Sequence, residues 1–132
     1  MTYQISMERT ACFLRVTVAG QANFENISGV WKDIAHACKE LGCSNVLLDG
    51  ILNGRPSTLD IYRTGNRIHE VGLPPKLRVA FVCDKESLAR LEFHESVIAN
   101  RAVGVTIRNF LTRDEAEHWL GEEQCGCQAT LD

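Results

Sequence analysis

No apolar stretch in this chain approaches the roughly 20 residues that a membrane-spanning helix requires, and no basic segment leads into an apolar run near Met1 as in a secretion signal. The expectation is a soluble, cytosolic protein without a membrane span. Basic charge is also in short supply: 14 Lys and Arg stand against 17 Asp and Glu, a net charge of −3. Without an overall basic field, nucleic acid is not the default partner. A glycine-rich phosphate loop is missing as well, because Gly50-x-x-x-Gly54 lacks the lysine and the tight strand-to-helix turn. Repeats and low-complexity linkers are absent. None of the four histidines, His36, His69, His94 and His118, falls in a loop at a strand end. A nucleophile–base–orienter triad therefore has no obvious base.

What is present is an ordinary globular composition, 45% hydrophobic and 23% charged over 132 residues. That length suits one domain with a core needing neither metal nor disulfide. In a cytosolic protein the six cysteines (Cys12, Cys38, Cys43, Cys83, Cys125, Cys127) read as reduced thiols.

Tyr3, Ile5 and Met7 alternate with polar neighbours, and so do Cys12, Leu14, Val16 and Val18, which predicts an antiparallel hairpin. Phe24, Ile27, Trp31, Ile34, Cys38 and Leu41 form the stripe of an amphipathic helix that Gly42 ends. A central strand over residues 45–49 follows. A second helix spans about 58–71, with Ile61, Tyr62, Gly65 and Ile68 inward, and closes at Gly72 and Pro74-Pro75. Residues 77–83 read as another central strand, and Asp84 as the N-cap of a third helix. Val103, Val105 and Ile107 mark a half-exposed strand near an edge. Thr112 to Glu115 is a capping box opening a short helix anchored by Ala116, Trp119 and Leu120. The order ββαβαβαβα predicts one α/β domain over residues 1–121 with a mixed sheet, followed by a flexible tail over 122–132.

The chain is organised around residues 44–60. A buried strand, a loop over residues 50–56 and a helix opening on Ser57-Thr58-Leu59-Asp60 place that loop at the carboxyl end of a strand, where open α/β sheets bind ligands. Ser57 with Asp60 has the spacing of a capping box. The same helix start suits an anion or a phosphate, with Arg55 adjacent and Arg63 and Arg67 further along. Asp49, Asn53, Cys83, Asp84 and Thr112 fall at strand carboxyl ends and are expected to share a rim with Ser57. Cys83 precedes a predicted helix N-terminus, which can activate a thiol, but Arg90 lies seven positions on, where a phosphatase loop wants six. Cys125-Gly126-Cys127 offers two soft ligands, or a redox pair, and too few donors for a tetrahedral zinc.

Three stretches carry a family likeness: Val46 to Gly50 with its loop, Val97 to Arg101, and Ile107 to Phe110 running into Asp114 to Leu120. With the element order, they make residues 1–121 resemble the STAS fold of bacterial anti-sigma-factor antagonists, and more closely the SpoIIAA-like group. The resemblance implies a serine at the start of the second helix that a partner kinase phosphorylates, in a motif of the form Asp-Ser-Ser-Gly. Here that region reads Arg55-Pro56-Ser57-Thr58-Leu59-Asp60, without the preceding acid or the following glycine.

The expectation is thus a non-enzymatic regulatory module without a cofactor. It docks a protein partner or a small ligand at the loop before the second helix, through Asp49, Asn53, Arg55, Ser57 and Thr58, with Arg63 and Arg67 on the adjoining surface. Two alternatives stay open: a thiol-based redox or metal-binding protein using Cys83 or Cys125 and Cys127, and a carrier of apolar ligands. The half-exposed strands also offer a surface for a homodimer.

Overall fold

The computed structural model describes residues 3–10, 12–49, 57–71, 76–85 and 105–121. Strands Tyr3–Arg9 (β1) and Leu14–Gly20 (β2) form the expected antiparallel hairpin, with Tyr3 opposite Gly20. Thr10 closes the connection: its N–H and hydroxyl both donate to Phe13 O, at 2.9 and 2.8 Å.

Helix Phe24–Leu41 (α1) starts where Asn23 Oδ1 accepts the Asn26 N–H at 2.8 Å. It ends at Gly42, whose φ of 67° is the left-handed conformation that glycine adopts most readily. Strand Asn45–Asp49 (β3), helix Thr58–Val71 (α2), strands Arg78–Val82 (β4) and Thr106–Phe110 (β5), and helix Arg113–Gly121 (α3) complete the described elements.

The strands lie in the order β1-β2-β3-β4-β5, parallel from β2 onward. The sheet is therefore mixed, with β3 at its centre and β5 at one edge. β5 runs two residues past the alternating pattern because Asn109 and Phe110 still pair with Phe81 and Val82.

Side-chain alternation sorts the central strands into two layers. Leu14, Val16, Val46, Leu48, Val79, Phe81 and Ile107 join Val30, Trp31 and Ile34 of α1 in the main core. Leu47 and Ala80 point the other way, against Ala116, Trp119 and Leu120 of α3. Covered on both faces, β3 and β4 need the continuous apolar runs that the sequence gives them. Helix α2 packs beside α1.

Two expectations are corrected. Tyr62, assigned to the inward stripe of α2, is 39% exposed, whereas Thr64 is fully buried. The Thr64 hydroxyl donates to Asp60 O at 2.8 Å, so a polar residue can sit on the buried side at little cost. The cysteines are not all reduced: Cys12 and Cys43 are disulfide-bonded, while Cys38 and Cys83 are thiols. The loop over residues 50–56, the expected third helix after Asp84 and the tail over 122–132 lie outside the described residues.

Candidate functional site

The exposed start of α2 is built by Ser57. Its Oγ accepts the Asp60 N–H at 3.0 Å, satisfying one of the donors left unpaired at a helix N-terminus. The capping box is one-sided, because the Asp60 carboxylate engages Arg63 Nη1 at 3.3 Å. Aspartate is a methylene shorter than the glutamate that usually reaches back to the cap. Thr58 is the first residue of α2. Next to the cap, Leu59 is 67% exposed, and with Tyr62 it gives the start of this helix an apolar surface.

Arg63 and Arg67 lie along the side of α2 that meets α1. The Arg63 guanidinium stands 4.0 Å from the centroid of the Phe24 ring, and Arg67 Nη1 is 3.1 Å from Glu70 Oε1. With Phe24, Ser28 and Lys32 they line a groove of about 620 Å³ between the two helices. Arg63 is thereby tied to helix packing as well as to the surface near Ser57. Asn53 and Arg55 lie outside the described residues.

At the carboxyl ends of the strands, Asp49 Oδ2 is 3.6 Å from Arg113 Nε, which is 3.5 Å from Glu117 Oε2. The chain of charges continues from Glu117 to Arg15 at 3.7 Å and from Arg15 to Glu8 at 3.2 Å. These pairs are partly exposed, and each contributes little on its own. Together they tie α3 to Asp49 at the carboxyl end of β3 and to Arg15 near the start of β2. Thr112 opens that helix, its Oγ1 accepting from Glu115 N at 3.2 Å and donating to Glu115 Oε1 at 3.0 Å. The sequence expects the glutamate to take the threonine N–H; it takes the hydroxyl instead.

Cys83 sits just past β4 with its N–H on Phe110 O at 2.9 Å, and its side chain is buried. A thiol so enclosed is poorly placed to attack a substrate. Asp84 beside it is exposed. Asp49 and Thr112 are thus drawn together by α3, Cys83 belongs to the β4–β5 junction, and Ser57 is engaged within its own helix. Cys125 and Cys127 lie outside the described residues. Among the described residues no group of three or more His, Cys, Asp or Glu side chains is gathered to hold a metal ion, and no helix is long and apolar enough to cross a membrane.

Two titratable groups that the sequence did not single out are displaced from their ordinary values. Tyr3 Oη donates to Asp33 Oδ2 at 2.6 Å, and burial, this hydrogen bond and the Asp33 charge push its pKa up to about 12. Burial alone raises Cys38 to about 11. Edge strand β1 and the outer part of α1 bring Tyr3 and Asp33 together across 30 residues. A periodicity argument cannot see such a contact.

No family model matches the chain, and no curated protein matches it. Among solved structures it is similar to a protein from Shewanella loihica PV-4, described as an uncharacterized member of the DUF3478 family with a SpoIIAA-like fold. The two share 21% identity over 89% of this chain and 93% of that one, with a TM-score of 0.52. The likeness establishes a SpoIIAA-like fold, in agreement with the mixed sheet and its leading hairpin.

Proposed function

We propose that this domain is a non-enzymatic regulatory module that docks a protein partner at the start of α2. Ser57 and Thr58 set the affinity, and Arg63 and Arg67 lie on the adjoining surface. The observation that carries the reading is the juxtaposition of a capping hydroxyl at Ser57 with the exposed side chain of Leu59. An apolar group left in water beside a helix N-terminus suits a contact with another protein. The SpoIIAA-like fold supports a STAS-like regulatory domain in general terms.

Phosphorylation of Ser57 would put a dianionic group on the helix N-terminus, where the dipole favours it, and next to Leu59, where an apolar contact would not tolerate it. That combination would make the site a switch. The test is to retain partners on the tagged protein expressed in its own host and to compare wild type with Leu59→Asp and Ser57→Glu. A protein retained in stoichiometric amount by wild type, and reduced about tenfold or more by Leu59→Asp, supports the reading, given that an interfacial apolar anchor is worth on the order of 2 kcal/mol. Equal retention by all three proteins overturns it.

A further inference from the structure

Among the described residues β1 forms one edge of the sheet, paired with β2 alone. The register of that pair, with the Thr10 N–H on Phe13 O at 2.9 Å, settles which way the β1 backbone groups point. Residues facing each other in an antiparallel ladder alternate between exchanging two hydrogen bonds and exchanging none. Gln4, Ser6 and Glu8 therefore bond to Ala19, Thr17 and Arg15, while the N–H and C=O groups of Tyr3, Ile5, Met7 and Arg9 are directed away from β2. The side chains of Tyr3, Ile5 and Met7 lie half-buried against the main core, and those of Gln4, Ser6 and Glu8 are exposed on the other face. Such an edge, with neither proline nor lysine and without charge from Tyr3 to Met7, has few of the devices that keep edge strands apart.

The strand is also complementary to itself when read antiparallel about Ser6. Tyr3 then faces Arg9 of a second copy, Gln4 faces Glu8, Ile5 faces Met7, and Ser6 faces Ser6. The outward-directed backbone groups meet one another in this register. The Ile5 and Met7 pairs extend the apolar layer beneath α1, and the Gln4 amide meets the Glu8 carboxylate. Arg9 arrives beside Tyr3, whose Oη is bonded to Asp33 Oδ2 at 2.6 Å, so a cation meets an aromatic ring and a carboxylate. No like charges are opposed. A slip of one residue sets outward groups against inward ones. The nearest registers that restore the match leave two residues of β1 unpaired at each end of the overlap, and one of them puts Arg9 opposite Ile5.

We infer that β1 is a dimer interface, at which two copies of this chain join their edges antiparallel about a two-fold axis at Ser6 to form one continuous sheet. The contact is isologous, each copy offering the same strand, and it supplies about eight backbone hydrogen bonds. β1 carries none of the residues at the start of α2, so this interface and the docking site there fail separately.

The test measures the mass of the full-length protein in solution by light scattering across a micromolar dilution series. Wild type is expected at the mass of two chains. Met7→Pro removes an outward N–H and leaves the β1–β2 bonds in place, because an edge strand accepts proline where the N–H faces out. It should raise the dissociation constant of the dimer about tenfold or more. Ser6→Cys keeps the question decidable if Met7→Pro folds poorly. Facing Cα atoms that exchange no hydrogen bonds lie about 4.5 Å apart, within disulfide range, so mild oxidation should link two copies of Ser6→Cys. Gln4→Cys places its sulfurs about 13 Å apart along the paired strands and should not link. A wild type that keeps the mass of one chain throughout overturns the inference. So does a dimer that a folded Met7→Pro leaves intact, or a Gln4→Cys variant that links as readily as Ser6→Cys.

Discussion

Asn45 Nδ2 donates to Leu120 O at 2.8 Å in the buried space where β3 begins and α3 ends, joining residues 75 apart in the chain. The last carbonyls of a helix lack partners within it, and here tertiary contacts supply them. Replacing Asn45 by leucine keeps the volume but removes the donor. The expected loss is about 2 kcal/mol, the cost of leaving a buried carbonyl unpaired. Urea unfolding measures it, and an unchanged midpoint contradicts this role for Asn45.

Arg78 performs the neighbouring task in two ways at once. Its Nη2 donates to Trp119 O at 2.9 Å while the guanidinium stands 4.2 Å from the Trp119 ring centroid. Lysine keeps the charge but lacks the planar fork that does both. Arg78→Lys is expected to lower stability by about 1 kcal/mol through the weakened stacking and hydrogen bond. Near-ultraviolet dichroism of the two tryptophans reports whether the ring has moved.

These contacts mark the boundary of what the sequence could disclose. Leu14, Val46, Val79 and Ile107 declared the sheet, and Ile27, Trp31 and Ile34 the helix over it, because burial imposes periods of 2.0 and 3.6 on apolar residues. Gly42 and Thr112 were readable because caps depend on a few adjacent residues. Asn45, Thr64 and Arg78 were not, since a polar residue in an apolar pattern gives no sign of the distant group that satisfies it. For the candidate site, the Ser57 cap was legible, but Arg63 could not be assigned to Phe24 without knowing how α2 lies on α1. Tyr62 misled because its place three residues before Gly65 could not separate the buried stripe from its margin.

Tyr3 gives a pH signature. Its folded pKa of about 12 lies above the ordinary 10.0, so the folded protein holds this proton more tightly than the unfolded chain. The resulting stability is fully present below pH 10 and is lost as pH rises toward 12. Cys38, raised from 9.0 to about 11, contributes in the same direction at slightly lower pH. Comparing Tyr3→Phe with wild type isolates the tyrosine. The variant should show a shallower fall in melting temperature between pH 10 and 12, and parallel curves would exclude the effect.

Gly29 keeps the space that Tyr3 occupies. A Cβ added there would come within 2.6 Å of Tyr3 Oη and 2.8 Å of its Cε1. The ring belongs to an edge strand and can swing away, at the expense of its hydrogen bond to Asp33. Alanine gains about 1 kcal/mol of helix propensity over glycine, which offsets a loss of similar size. Gly29→Ala should therefore leave stability nearly unchanged while the Tyr3 titration, followed by phenolate absorbance, moves from about 12 toward 10. A titration that stays in place would mean that the ring has kept its bond.

Ser57 has two proposed roles, a helix cap and a switch, and one set of substitutions separates them. Removing the hydroxyl in Ser57→Ala leaves the Asp60 N–H without its acceptor and should cost about 1 kcal/mol; Ser57→Gly should cost only a few tenths. Aspartate caps as well as serine and is favoured by the helix dipole, so Ser57→Asp should preserve stability. It also places a negative charge where a phosphate would stand, beside the exposed Leu59. If the start of α2 is the docking surface, Ser57→Asp loses partner affinity at full stability, whereas Ser57→Ala loses stability with affinity largely kept. Calorimetric melting and partner retention, measured on the same preparations, read the two quantities independently. Full stability together with full affinity for Ser57→Asp would reduce the residue to a cap and move the docking surface away from this helix start.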